Sequence, residues 1–186
     1  MVSTETPAAA LAWAAPDFNL PGVDGARHSY ESCHGDRGTV VMFICNHCPY
    51  VKSAIGRIVQ DARALRDLGV RCVAISANDP AVYAEDSFEQ MKRVAREQDF
   101  PFPYLYDESQ AVARAYGAVC TPDFFGFNAA GLLQYRGRLD AGRRDPPPPG
   151  APRELYEAMK LIAATGRGPS EQHPSIGCSI KWRGAA

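Results

Sequence analysis

The sequence has almost no charge imbalance: 20 Lys and Arg stand against 21 Asp and Glu, a formal net charge of −1 over 186 residues. A chain so balanced has no global field to gather nucleic acid or an anionic membrane. Polybasic runs are lacking too, since "RGRLDAGRRD" mixes both signs. No apolar run approaches the roughly 20 residues that a membrane span requires. The N-terminal stretch "MVSTETPAAALAWAAPDF" lacks the positive segment of a secretory signal, with Glu5 where Lys or Arg would stand. Internal repeats are missing, and the prolines of "DPPPPG" are the one low-complexity stretch. These absences predict a soluble, cytoplasmic protein, with neither nucleic acid nor membrane as a partner. Its length suits one domain with an extra segment at an end.

Cysteine is present but sparsely paired. Six stand at positions 33, 45, 48, 72, 120 and 178, and only Cys45 and Cys48 are close in sequence. With 46% hydrophobic residues the chain can build a core without disulfide staples. In a reducing compartment a C-x-x-C is catalytic or metal-binding.

Periodicity divides the chain into alternating elements. "APDFNLPGVDGARHSY" carries Asp24-Gly25 between alternating segments, a hairpin signal. "TVVMFI" (39–44) is continuously apolar, as in a strand buried on both faces. From Val51 to Leu65 apolar residues recur at three and four, an amphipathic helix that Gly69 ends. "VRCVAIS" (70–76) is a second buried strand. "SFEQ" (87–90) has the form of a capping box with Phe88, Met91, Val94 and Ala95 on one face, and "DESQ" (107–110) repeats that logic before a helix ending at Gly117. "DFFGFN" and "LLQYRGR" form a hairpin across residues 128–131. Phe124, Phe125 and Phe127 read as doubly buried strand residues rather than a stacking platform. "DPPPPG" is a connector. A last helix spans 152–165, with Pro152 at its start and Gly166 after its end. The tail has no clear period. Strands alternating with helices predict an α/β protein with a mixed central sheet, helices on both faces and an N-terminal β-hairpin. The expected division is a domain over 1–166 and a C-terminal tail, 167–186, packing on or near it.

The chemistry concentrates in "VVMFICNHCPYVK". Cys45 follows a buried strand directly, and the amphipathic helix begins near Cys48. At a helix N-terminus, exposed N–H groups and the partial positive charge favour an anion. A thiolate is the reactive form of cysteine, and such a setting lowers its pKa from about 8.5 to between roughly 3.5 and 7.5. His47 adds a donor, or a cation when protonated. Pro49 falls where a missing N–H costs nothing. The spacing lets Cys48 resolve a mixed disulfide formed at Cys45. Lys52 and the aspartates 79 and 107 read as a solvated helix residue and as turn or cap residues. Cys72 reads as core, and Cys33 as a loop residue.

Three segments, "APDFNLPGVDG", "FICNHCPYVK" and "AVCTPDFFGFN", give the sequence a resemblance over about residues 15–165. It resembles the thioredoxin-fold redoxins, in a peroxiredoxin-like, AhpC/TSA-related group that carries a thioredoxin-type C-x-x-C. The tail "PSIGCSIKW" is similar to that group as well. The resemblance implies a thioredoxin-like fold and a thiol–disulfide oxidoreductase. It implies a cis Pro122 facing the C-x-x-C, and a Thr121 whose backbone pairs with an extended substrate segment. Catalytic candidates are then Cys45 as nucleophile, Cys48 as resolving thiol, His47 as tuning group, and Thr121 with Pro122 as positioning residues. Asn46, Cys120, Thr121 and Pro122 are candidates for substrate contact. Cys120 is otherwise a small core residue, and Cys178 a further conceivable partner of the pair. The expected partners are protein or small-molecule disulfides and a thiol electron donor, with no cofactor and no bound metal.

Two alternatives stay open. One is a thiol-dependent peroxidase, acting on hydroperoxides. The Pro-x-x-x-Thr-x-x-Cys pattern of peroxiredoxins is missing, since Gly38 and Met42 precede Cys45 at those positions, and Val41 and Cys45 precede Cys48. The other is a copper or zinc carrier using Cys45, Cys48 and Cys120, with His28, His34 or His173 as a distant fourth ligand.

Overall fold

A computed structural model describes residues 3–7 and 10–184. Its centre is a five-stranded mixed sheet. The strands are β4 (Gly38–Phe43), β5 (Val70–Ser76), β6 (Tyr104–Tyr106), β8 (Asp123–Asn128) and β9 (Leu133–Gly137), in the order β6-β5-β4-β8-β9. β4, β5 and β6 run parallel, and β8 and β9 are antiparallel. The hairpin at Asp24-Gly25 forms as β2 (Asn19–Pro21) and β3 (Arg27–Ser29), with Gly25 at φ +86. This mixed sheet flanked by helices is the thioredoxin-like α/β architecture that the sequence predicts.

β4 explains the two-sided layering. Its residues alternate across the pleat and every one is buried. Val40 and Met42 enter the core beneath α2 (Pro49–Asp67), α3 (Phe88–Glu97) and α5 (Glu154–Thr165). Val41 and Phe43 enter the opposite core, beneath α1 (Tyr30–Cys33) and α4 (Ala111–Tyr116). Phe124, Phe125 and Phe127 of β8 are fully buried, as the apolar run requires. Each such ring removed from water contributes about 1.5–3 kcal/mol, so the middle of the sheet carries much of the fold's stabilisation.

Local signals were partly redirected by packing. Ser87 precedes α3 but its side chain makes no capping hydrogen bond, so "SFEQ" is not a capping box. A reciprocal box forms instead at Ser29 and Ser32 around α1. Gln110 precedes α4 in the left-handed region at φ 62 without a side-chain cap, and Asp107 Oδ2 accepts from the Ala113 N–H at 2.8 Å. α5 starts at Glu154, not at Pro152. Cys33 is a buried residue of α1 rather than a loop residue.

Three strands have no counterpart in the periodicity. β1 (Ser3–Glu5), β10 (Ile176–Ser179) and the two-residue β7 (Cys120–Thr121) form a second sheet in the order β1-β10-β7. Within it Cys178 lies opposite Thr121, and Ser179 opposite Cys120. The tail strand thereby covers the edge immediately before Pro122.

Candidate active site

Cys45 and Cys48 sit between the end of β4 and the start of α2. Cys48 is the N-cap residue of α2 and Pro49 its first helical residue. The helix thus begins where the sequence places it, but Cys45 lies three residues before its N-cap, and the helix amide that supports a thiol, that of Val51, supports Cys48. Both side chains are buried, at 1% and 0% exposure. Thr121 joins them: its Oγ1 is 3.2 Å from Cys45 Sγ, and its carbonyl oxygen accepts from the Cys48 thiol at 3.2 Å. The Thr121-Pro122 peptide is cis. Two thiols, a hydroxyl and the cis-proline peptide, 76 residues apart in sequence, thus meet at one point.

The two thiols are unequal. The Cys48 thiol is drawn down to about 5, chiefly because the Cys45 thiol donates to it, with the Cys178 thiol and the Val51 and Cys178 amides adding support against the cost of burial. Burial pushes the Cys45 thiol up, reinforced by its bond to Cys48 and by the nearby Asp86 carboxylate, while Thr121 partly offsets this. Of the two, Cys48 is the thiol whose anion this setting favours: while protonated it donates to the Thr121 carbonyl, and on losing its proton it accepts from Cys45.

His47 is fixed from behind. Its Nδ1 is 2.5 Å from Asp86 Oδ2 and 3.6 Å from Cys45 Sγ. The imidazole stacks on Tyr83, with centroids 3.9 Å apart and planes 7° from parallel. Asp86 organises the whole loop. Its Oδ1 accepts the Asn46 N–H at 2.8 Å and the His47 N–H at 3.1 Å, and its Oδ2 accepts from Asn78 Nδ2 at 2.8 Å. Burial pushes its carboxyl up, but the His47 ring, then Asn78 and the Asn46 amide, hold it below the usual range. Asp86 lies in the short 3-10 turn Ala84–Asp86, 40 residues from Asn46. No motif marks it, and sequence reasoning passes over it.

The remaining predicted residues are placed as follows. Asn46 is buried, donates to the Glu85 carbonyl at 2.7 Å and accepts from the Tyr104 hydroxyl at 3.0 Å. Its amide holds the loop. Cys120 is fully buried beside the site, 3.6 Å from the Pro122 carbonyl, and burial raises its pKa. Cys72 is buried in β5 and pushed up to about 12. Cys178 brings its sulfur to 2.9 Å from Cys48 Sγ. Lys52 is exposed, but with Cys45, Asn46 and Phe100 it lines a cavity of about 290 Å³ between α2 and α3. Cys45 therefore faces the open side of the site, and Cys48 the inner side.

A metal would find a different ligand set from the one the sequence suggests. His28 pairs with Asp24, His34 with Ala129 and Thr39, and His173 with Glu154. Cys45, His47 and Asp86 do bring donor atoms within 4.8 Å of one another. However, both Asp86 oxygens already serve protein N–H donors, and His47 Nδ1 is one of the partners. A metal would have to break that network to bind.

The AhpC/TSA family model matches residues 11–136. Nothing matches among the curated proteins. A crystal structure of an uncharacterised conserved protein from Geobacillus kaustophilus is 46% identical, covering 100% of this chain and 99% of that one at TM-score 0.92. A hypothetical protein from Sinorhizobium meliloti 1021 is 33% identical, covering 97% of this chain and 99% of the other at TM-score 0.90. A secreted disulfide oxidoreductase of Mycobacterium tuberculosis shares the fold at 20% identity and TM-score 0.54, covering 63% of this chain and 80% of its own.

Proposed function

The chain belongs to the AhpC/TSA family of thioredoxin-fold proteins, and from that premise we propose that it is a thiol–disulfide oxidoreductase working through Cys45 and Cys48. The observation that carries the reading is the convergence of both sulfurs on Thr121, immediately before the cis proline. In this reading Cys45, on the cavity side, passes its proton to the Cys48 thiolate and attacks a disulfide R–S–S–R′. A Cys45–S–S–R bond forms, and R′S⁻ leaves and takes the proton from Cys48. The Cys48 thiolate then attacks Cys45 Sγ, RS⁻ departs to be protonated by solvent, and the Cys45–Cys48 disulfide remains. A thiol donor returns it to the dithiol. His47 and Asp86 keep the loop in register for both steps. The substrates are protein or small-molecule disulfides, and the setting is a reducing cytoplasm.

Substitution tests this directly. Cys45→Ser abolishes reduction of a disulfide substrate such as insulin, and Cys48→Ser accumulates a mixed disulfide with it. Full activity in both single variants would refute the proposal. Family membership also supports a second reading, a thiol-dependent peroxidase. That reading expects rapid hydroperoxide consumption that needs Cys45 but survives Cys48→Ser.

A further inference from the structure

The thiol cluster does not end at the C-x-x-C. Cys178, 130 residues beyond Cys48, approaches it to 2.9 Å between sulfurs. That is shorter than the roughly 3.5–4.0 Å at which even carbon atoms make non-bonded contact. The approach is built by the backbone. β10 pairs with β7 so that Cys178 stands opposite Thr121, the residue whose carbonyl already contacts Cys48. Gly177 allows the strands to close: a Cβ there would come within 2.0 Å of the Thr121 carbonyl oxygen. β1 holds the other edge of β10, with Ser3 opposite Cys178. Cys178 is 1% exposed, so what it meets is Cys48 rather than solvent.

We propose that Cys178 is a third catalytic cysteine, which takes over Cys48 from Cys45 in an internal disulfide exchange. The step rests on the dithiol reading above. Starting from the Cys45–Cys48 disulfide, the Cys178 sulfur attacks Cys48 Sγ. The Cys48–Cys178 bond forms as the Cys45–Cys48 bond breaks. Cys45 leaves as a thiolate and takes up the proton that Cys178 gives up. No electrons are gained or lost, so no outside oxidant is needed. The exchange returns a thiol to the cavity-facing Cys45 and holds the disulfide on the two inner sulfurs. Burial keeps Cys178 protonated at rest, its pKa pushed up to about 12, so it stays a thiol until Cys48 is oxidised.

The test is disulfide mapping of the full chain. Wild type and Cys45→Ser are oxidised with stoichiometric diamide, quenched in acid, alkylated with N-ethylmaleimide in denaturant, digested and analysed by mass. In Cys45→Ser, Cys48 and Cys178 are expected to lose their N-ethylmaleimide adducts together and to appear as one linked peptide pair. In wild type that pair is expected beside the Cys45–Cys48 link, and Cys178→Ser removes it. Alkylation of both Cys48 and Cys178 in oxidised, folded Cys45→Ser would overturn the inference. Should that variant not fold, absence of the Cys48–Cys178 link from wild type across a series of glutathione buffers overturns it equally. A wild type that forms the Cys45–Cys48 link but never the Cys48–Cys178 link loses only this inference. A wild type in which Cys48 enters neither link loses the dithiol reading itself.

Discussion

His47 Nδ1 and Asp86 Oδ2 stand 2.5 Å apart in the buried wall behind Cys45. The same carboxylate accepts from two backbone amides and from Asn78, so it sets the shape of the C-x-x-C loop as well as the ring. Replacing it leaves several buried donors without partners, each costing about 1–3 kcal/mol. Asp86→Ala is therefore expected to lose about 3 kcal/mol, and roughly 6–12 °C in Tm for a domain of this size. Thermal unfolding followed by circular dichroism checks this, and an unchanged Tm would contradict it.

Asp86 also predicts an acid limit. Its carboxyl is held below its ordinary value in the folded protein, so it stabilises the fold above the unfolded carboxylate pKa of about 3.9. That contribution is lost as pH falls through the lower folded value. The stability difference between wild type and Asp86→Asn should shrink below about pH 4. Denaturant titrations at several pH values measure it. A difference that grows on acidification would show that the carboxyl is not stabilised as an anion.

Cys48 should be the thiolate of the reduced pair. With its pKa drawn down to about 5, thiolate ultraviolet absorbance of the reduced wild type should persist below neutrality and disappear only near that pH. Because the Cys45 thiol is the largest cause, Cys45→Ala should move the midpoint upward. The sign for stability follows: a depressed pKa stabilises the reduced fold above the ordinary cysteine value and loses that contribution as pH falls through about 5. A midpoint near 9 would contradict the assignment.

Thr121 Oγ1 supports the Cys45 sulfur at 3.2 Å and partly offsets the upward push on its pKa. A hydrogen bond to a developing thiolate is worth about 1.5–3 kcal/mol. Thr121→Val keeps the shape and removes that donor. It should slow disulfide reduction by roughly tenfold or more, with little change in Tm. Steady-state rates on a small disulfide decide this, and an unaltered rate would remove Thr121 from the chemistry.

Gly177→Ala tests the seam between β10 and β7. A Cβ there would crowd the Thr121 carbonyl carbon at 2.5 Å as well as its oxygen. Overpacking of this kind costs about 1–3 kcal/mol. The variant should melt several degrees lower, and wild-type stability would show that the strands are not so closely joined.

The parts of this fold that are legible in the sequence are those whose burial is local and periodic. β4 reads as a strand because its six successive residues suit burial, β5 because residues 72–76 do so despite the exposed Arg71, and α2 because its apolar residues recur at helical spacing. The cysteine pair and Thr121-Pro122 stand out through their motifs. β1, β7 and β10 do not, because "STE", "CT" and "IGCS" are too short and too polar for alternation to show. Their pairing joins residues from opposite ends of the chain. Asp86 is invisible for a related reason: one acidic residue in a 3-10 turn has no pattern, and its importance comes from four donors that folding delivers. The unformed cap at Ser87 shows the converse, a local pattern that tertiary packing leaves unused.

On the proposed function, Cys45 and Cys48 exchange two electrons as a pair. Equilibrating the protein in graded glutathione buffers and quantifying the Cys45–Cys48 disulfide by alkylation and mass tests it most directly. The expected result is a single two-electron transition between about −250 and −180 mV that vanishes in Cys45→Ser. Two thiols that stay alkylatable throughout that range, in a protein that remains folded, would contradict it.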